Sequence, residues 1–222
     1  MTFKIKICGI TSVEDARAAI DAGADAIGLN FYRDSKRCVS VDAACQIVEA
    51  IDSHASKVGV FVNESADRIR EICRDTGLRL IQLHGDEPPE FLQCLDKDHK
   101  VFRARRLDER GLQAITDDLQ ACSDLSGRCP DAVLVDAALA GQFGGTGRQV
   151  DWQQLAGYRA VLGNIPLILA GGLTPDNVAE AIRVVRPQAV DVASGVESAP
   201  GKKDITKMRD FVAAAQAAFA AL

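Results

Sequence analysis

The chain has 222 residues, of which 47% are hydrophobic and 26% charged, a composition that excludes a disordered polymer and supplies a sizeable core. Its net charge of −5 argues against a nucleic-acid partner, because phosphate backbones require a basic face. No run approaches the ~20 apolar residues of a membrane helix, and Met1–Lys6 has no apolar stretch of the kind found in a secretory signal.

Short apolar runs alternate with amphipathic segments along the whole chain. The runs are Lys4–Cys8, Ala26–Phe31, Lys57–Val62, Leu80–His84, Lys100–Arg105, Ala132–Asp136, Ile165–Ala170 and Ala189–Ala193, eight in all. Pro166 has no N–H to donate, so the paired part of the seventh run is expected to begin at Leu167. Between the runs, Thr11 and Glu14 have capping-box spacing ahead of Val13, Ala16 and Ile20, with Gly23 as the stop. The second helix is expected over Val41–Ile51. Ser65 opens a third, with Ile69, Ile72 and Cys73 on one face and Gly77 closing it. Further helices are expected over Pro89–Leu95, Asp108–Ala121 and Asp151–Leu162. Thr174-Pro175 reads as an N-cap followed by a first-turn proline, leading into Val178, Ala181, Ile182 and Val185. Asp204 opens the last helix, whose apolar side carries Ile205, Met208, Phe211, Val212, Ala215 and Phe219.

Strands alternating with helices imply parallel pairing through right-handed crossovers. Eight such units predict an α/β fold, a single-domain (β/α)8 TIM barrel over residues 1–222. The dinucleotide-binding alternative needs G-x-G-x-x-G after the first strand, and Cys8-Gly9-Ile10-Thr11 does not match it. Seven cysteines without a C-x-x-C pair fit free thiols in a reducing cytoplasm. The three histidines, His54, His84 and His99, show no ligand spacing, so neither metal nor organic cofactor is expected.

In such a barrel, chemistry belongs at the C-terminal ends of the strands. Cys8 ends the first run and Asp136 the sixth. Alone, Cys8 reads as a small buried apolar residue and Asp136 as a loop cap. Together they face each other across a ring roughly 15 Å wide. An acid and a base so placed suit a sugar isomerisation, which opens a ring and removes a carbon-bound proton. Gly171-Gly172 follows the seventh run and Ser194-Gly195 the eighth, where barrels of this type hold phosphate on backbone N–H groups. Gly144-Gly145-Thr146-Gly147 is a weaker glycine signal beyond the sixth run. Arg37 follows the second run; a loop arginine is usually solvated, but this one can pair with a substrate carboxylate. His84 reads more readily as a satisfied loop histidine than as a catalytic one. Asp191 either binds substrate or holds structure.

Several segments, in this order, resemble the phosphoribosylanthranilate isomerases of tryptophan biosynthesis. They are Lys6-Ile7-Cys8-Gly9-Ile10-Thr11, Ser35-Lys36-Arg37, Val58-Gly59-Val60-Phe61-Val62-Asn63, Gln82-Leu83-His84-Gly85, Gly144–Gly147 with Asp151-Trp152, Ala170–Leu173 with Asn177-Val178, and Val190–Val192 with Ser194–Glu197. The resemblance implies an Amadori rearrangement of N-(5-phosphoribosyl)anthranilate, with Cys8 as general base and Asp136 as general acid. It also implies that Arg37 holds the anthranilate carboxylate and that the loops of Gly171, Gly172 and Gly195 hold the phosphate. His84, Gly145, Asp191 and Ser194 complete the expected substrate-binding set. Two features depart from the family pattern: Lys36 replaces a common proline, and Arg103, Arg105 and Arg106 make the fifth run unusually basic. The expected partner is a small phosphorylated substrate, with no nucleic acid or membrane, in a monomer or homodimer. The alternatives are the aminoaldose isomerase of histidine biosynthesis, with aspartate where Cys8 stands, and a non-catalytic phosphometabolite-binding barrel.

Overall fold

The computed structural model describes residues 3–51, 55–107, 109–136 and 152–222. The strands are β1 (Ile5–Cys8), β2 (Ala26–Asn30), β3 (Ser56–Phe61), β4 (Leu80–Leu83), β5 (Lys100–Arg106), β6 (Ala132–Asp136), β7 (Leu167–Ala170) and β8 (Ala189–Val192). All eight pair in parallel in chain order, and β8 returns to β1 to close the barrel. β7 starts at Leu167, as Pro166 requires.

Helices cover the outside: α1 (Val13–Asp21), α2 (Val41–Ala50), α3 (Ala66–Thr76), α4 (Leu112–Ser126), α5 (Tyr158–Leu162), α6 (Val178–Val185) and α7 (Ile205–Ala220). Pro89–Cys94 and Trp152–Leu155 form 3-10 turns where full helices were expected. Ser65 and Asp204 cap α3 and α7, each accepting from the backbone N–H three residues on. Two expected caps are displaced. Ser12, not Thr11, caps α1 by accepting from the Asp15 N–H, while the Thr11 hydroxyl donates to the Gly201 carbonyl. Asn177, not Thr174, stands before α6; its side chain instead accepts from the Thr174 N–H and donates to the Gly172 carbonyl. A long-range hydrogen bond took the Thr11 side chain, and local ones fixed Asn177.

Strand alternation sorts the core into two layers. One packs between the barrel and its helices and includes Ile5, Ile7, Leu83, Val133 and Leu169. The other fills the barrel with Ala26, Val58, Phe102, Ala104, Ala132, Leu134, Ile168 and Ala189, plugged by Phe3 edge-on to Phe102. By this alternation Arg103 and Arg105 lie outside the barrel and Arg106 inside. Arg103 is wholly buried; its Nε and Nη2 donate to Asp118 of α4 at 3.0 and 2.9 Å, and Arg105 Nη2 joins at 2.8 Å. Arg105 therefore pins α4 and does not reach the mouth. Burial pushes the Asp118 carboxyl above its ordinary pKa despite Arg103, so this is a strained electrostatic compromise that depends on both partners. Asp118→Ala should cost about 3–5 kcal/mol in equilibrium urea unfolding, because it strands the buried guanidinium, whereas Arg105→Ala should cost roughly 1 kcal/mol or less. Equal losses would refute this division.

Candidate active site at the C-terminal mouth

The inward positions nearest the C-terminal end of the barrel carry the polar chemistry. Lys6 and Cys8 share the inward face of β1, with Lys6 level with Asp191 of β8 and Cys8 level with Gly28 of β2. Gln82 is inward on β4, and His84 follows two residues on. On β5 and β6, Arg106 and Asp136 are level with one another at the rim. β6 is three strands from β1 through β7 and β8, so the closed ring sets Cys8 and Asp136 on facing walls.

Lys6 is the side chain that sequence reasoning missed. It has no exposed surface, and its Nζ donates to Asp191 Oδ1 at 2.8 Å and to Gln82 Oε1 at 2.9 Å. Burial would lower its pKa, but Asp191 and Cys8 together hold it above the ordinary lysine value. Asp191, which sequence left between two roles, thus has a structural partner. The signal was present: a lysine in an apolar strand, on the same face as Cys8. Burial also raises the Cys8 thiol above its usual pKa; Lys6 and Lys203 pull the other way, and Asp191 adds to the rise.

Arg37 is positioned by a second buried charge. Its Nε and Nη2 donate to the two Glu197 oxygens, each at 2.7 Å. Glu197 lies on β9 (Glu197–Ala199), paired with β10 (Lys202–Lys203), and also accepts from Lys203 Nζ at 3.0 Å. Burial opposes the charge on Glu197, yet hydrogen bonds from Arg37 and Lys203 keep its pKa below the ordinary carboxylate value. Burial likewise lowers Lys203, against the pull of Glu197. Arg37, expected to meet a substrate carboxylate, is already paired through Nε and Nη2 with Glu197, a pair that does not use Nη1.

The glycine loops separate into different physical roles. Gly171 and Gly172 have φ of +88° and +65°, and a β-carbon on Gly172 would meet nothing within 4 Å. On Gly195 it would fall 1.9 Å from the Leu173 carbonyl oxygen, so Gly195 is needed for the loops after β7 and β8 to touch. Ser194 is exposed, at the start of the 3-10 turn Ser194–Val196. Gly145, with Gly144, Thr146 and Gly147, lies outside the described residues. Sequence spacing had shown no metal-type histidine, yet Asp96, Asp98 and His99 bring potential ligand atoms within 4.8 Å at the N-terminal end of β5. Asp98 is already paired with Arg79 at 2.9 Å, and Arg128 donates to the carbonyls of Asp96 and His99, so guanidinium charge occupies that turn.

An interior packed with small and apolar side chains, and charge confined to one rim, define a (β/α)8-barrel enzyme acting on a small polar substrate. The family model described as N-(5'phosphoribosyl)anthranilate (PRA) isomerase matches residues 5–214. The N-(5'-phosphoribosyl)anthranilate isomerase of Trichlorobacter lovleyi is 45% identical over 209 residues, covering 94% of this chain and 96% of the relative. That of Magnetococcus marinus is 48% identical over 218 residues, covering 98% and 97%. The crystal structure of phosphoribosyl anthranilate isomerase from Thermotoga maritima superposes with a TM-score of 0.86 at 37% identity, covering 97% of this chain and 99% of that one. Another such isomerase, solved in complex with reduced 1-(o-carboxyphenylamino)-1-deoxyribulose 5-phosphate, gives 0.81 at 36% identity, with coverage of 97% and 99%. The chain belongs to the N-(5'-phosphoribosyl)anthranilate isomerase family, and its reaction is the Amadori rearrangement of tryptophan biosynthesis. Among the described residues no helix is long and apolar enough to cross a membrane.

A β-carbon on Gly28 would sit 2.6 Å from Cys8 Sγ and 3.2 Å from Lys6 Cε. Gly28→Ala should therefore displace the thiol and lower turnover by about tenfold or more while the far-ultraviolet dichroism is kept. Wild-type turnover in that variant would show that the thiol has room to spare.

Proposed function

We propose that Cys8 is the general base and Asp136 the general acid of this isomerisation. The observation that carries the reading is their placement at one end of facing strands, with Lys6 beside the thiol. Asp136 gives a proton to the ring oxygen of the aminoaldose as the C1–O bond breaks and the anthranilate nitrogen forms an iminium. The Cys8 thiolate then removes the C2 proton, giving an enolamine that tautomerises to the ketose. Asp136 gives one proton and Cys8 takes one, and ketonisation moves the enol proton to C1, so the rearrangement involves no net oxidation or reduction.

Burial opposes the thiolate that this step needs, and the Lys6 ammonium beside it favours that form. Arg37, set at a fixed angle by Glu197, turns its remaining edge to the anthranilate carboxylate. Backbone N–H groups of the Gly171-Gly172 and Ser194-Gly195 loops take the phosphate, so that the sugar lies between Cys8 and Asp136. A cytoplasmic setting is in keeping with seven unpaired cysteine thiols.

Cys8→Ala and Asp136→Asn should each lower kcat by about 10²–10⁴-fold in a fluorescence assay of phosphoribosylanthranilate, with unchanged thermal unfolding. An effect confined to KM would make either one a binding residue. For the phosphate, Gly195 is unsuitable as a probe because any side chain there strikes Leu173. A β-carbon on Gly172 meets no neighbour, although its φ of +65° means that alanine there strains the loop itself. Gly172→Ala should weaken inhibition by a phosphorylated product analogue about tenfold while leaving inhibition by free anthranilate within about twofold. Equal weakening would indicate a distorted mouth, and no weakening would place the phosphate elsewhere.

A further inference from the structure

Gln82 is wholly buried in the barrel interior, and its two neighbours decide which way its amide faces. Lys6 Nζ lies 2.9 Å from Gln82 Oε1. An ammonium has three protons and no lone pair, so only the amide oxygen can meet it. The amide nitrogen must then point the other way, and Gln82 Nε2 lies 2.7 Å from His84 Nδ1. Nε2 has only protons to offer, so His84 Nδ1 must keep its lone pair. A neutral imidazole holds one N–H, and it is therefore at Nε2, on the opposite edge of the ring.

We infer that Gln82 is a positioning residue that locks His84 as the neutral Nε2–H tautomer and so gives the strand-end mouth that also carries Asp136 a neutral hydrogen-bond donor. The charged groups around His84 agree. Burial lowers its pKa, Lys6 and Arg106 reinforce the effect, and Asp136 and Asp191 oppose it without reversing it. Lys6 cannot relax the lock by losing a proton, because the Asp191 carboxylate at 2.8 Å holds it charged. The relay Asp191–Lys6–Gln82–His84 thus runs from β8 through β1 and across the interior to β4. Its catalytic consequence rests on the reading of Asp136 as the acid. An imidazolium at this mouth, within electrostatic reach of Asp136, would favour the carboxylate, the wrong form for giving a proton, whereas a neutral imidazole does not.

The test is nitrogen-15 NMR of histidine-labelled, ligand-free, full-length enzyme, with the His84 signals assigned by their loss in His84→Asn. At about pH 7 the wild type should show Nε2 protonated and Nδ1 bare. In Gln82→Glu the carboxylate can only accept, so Nδ1 should gain a proton and His84 should titrate above its wild-type value. In that variant kcat should fall about tenfold or more with little change in KM. A wild-type His84 protonated on Nδ1, as either the other tautomer or the imidazolium, would overturn the inference. So would a Gln82→Glu enzyme whose His84 is unchanged. Should that variant fail to fold, the wild-type spectrum decides alone. The tautomer is read without turnover, so a fully active Asp136→Asn would remove the acid assignment and leave the Gln82 lock standing.

Discussion

Lys6 and Asp191 are partners across the seam where the last strand meets the first, and their ion pair is sealed from solvent. A buried ammonium is tolerable only with a close counter-charge and full hydrogen bonding, and removal of one partner from such a pair costs several kcal/mol. Asp191 supplies the charge and Gln82 the further acceptor. The register of β1 against β8 is therefore fixed by electrostatics as well as by apolar packing. A slip of one residue would turn Lys6 out of the barrel and leave Asp191 buried alone.

The same lysine links closure to chemistry. It lies two residues before Cys8 on the same face of β1, so it offers positive charge to a thiol that burial otherwise keeps neutral. Through Gln82 it also reaches His84 on the far side of the interior. A second buried set, Glu197 with Arg37 and Lys203, aims the arginine from the loop after β2. Lys203 also influences Cys8, so the two sets meet at the thiol. The mouth is thus a small network of paired charges lying above an apolar plug of Phe3, Phe102 and Leu134.

Sequence reading reached the barrel because each strand is short, apolar and followed by a helix with its own start and stop signals. It went astray where a capping side chain had a second possible partner. Thr11 resembles a cap, yet its hydroxyl is claimed by Gly201, far along the chain. Thr174 resembles a cap too, but Asn177 folds back onto it. The helix expected over Pro89–Leu95 is a 3-10 turn, because a six-residue segment beginning with proline has too few internal bonds to settle into an α-helix. Arg105, part of the unusually basic fifth run, is sent outward to Asp118 by the strand alternation.

The sequence by itself determined the number and order of the strands and the parallel topology, and it singled out Cys8, Arg37, Asp136 and the glycine turns as candidates at the strand ends. These follow from periodicity and from a rule about strand ends, both of which are local. Only the tertiary structure decided that Lys6 is buried, that Glu197 grips Arg37, that Gly195 is kept small by Leu173, and that Gln82 stands between Lys6 and His84. Each of these joins residues on different elements, up to 185 positions apart for Lys6 and Asp191. A hydrogen bond or ion pair at that separation leaves no periodic trace, because its energy depends on three-dimensional distance and desolvation, which exist only once the barrel has closed.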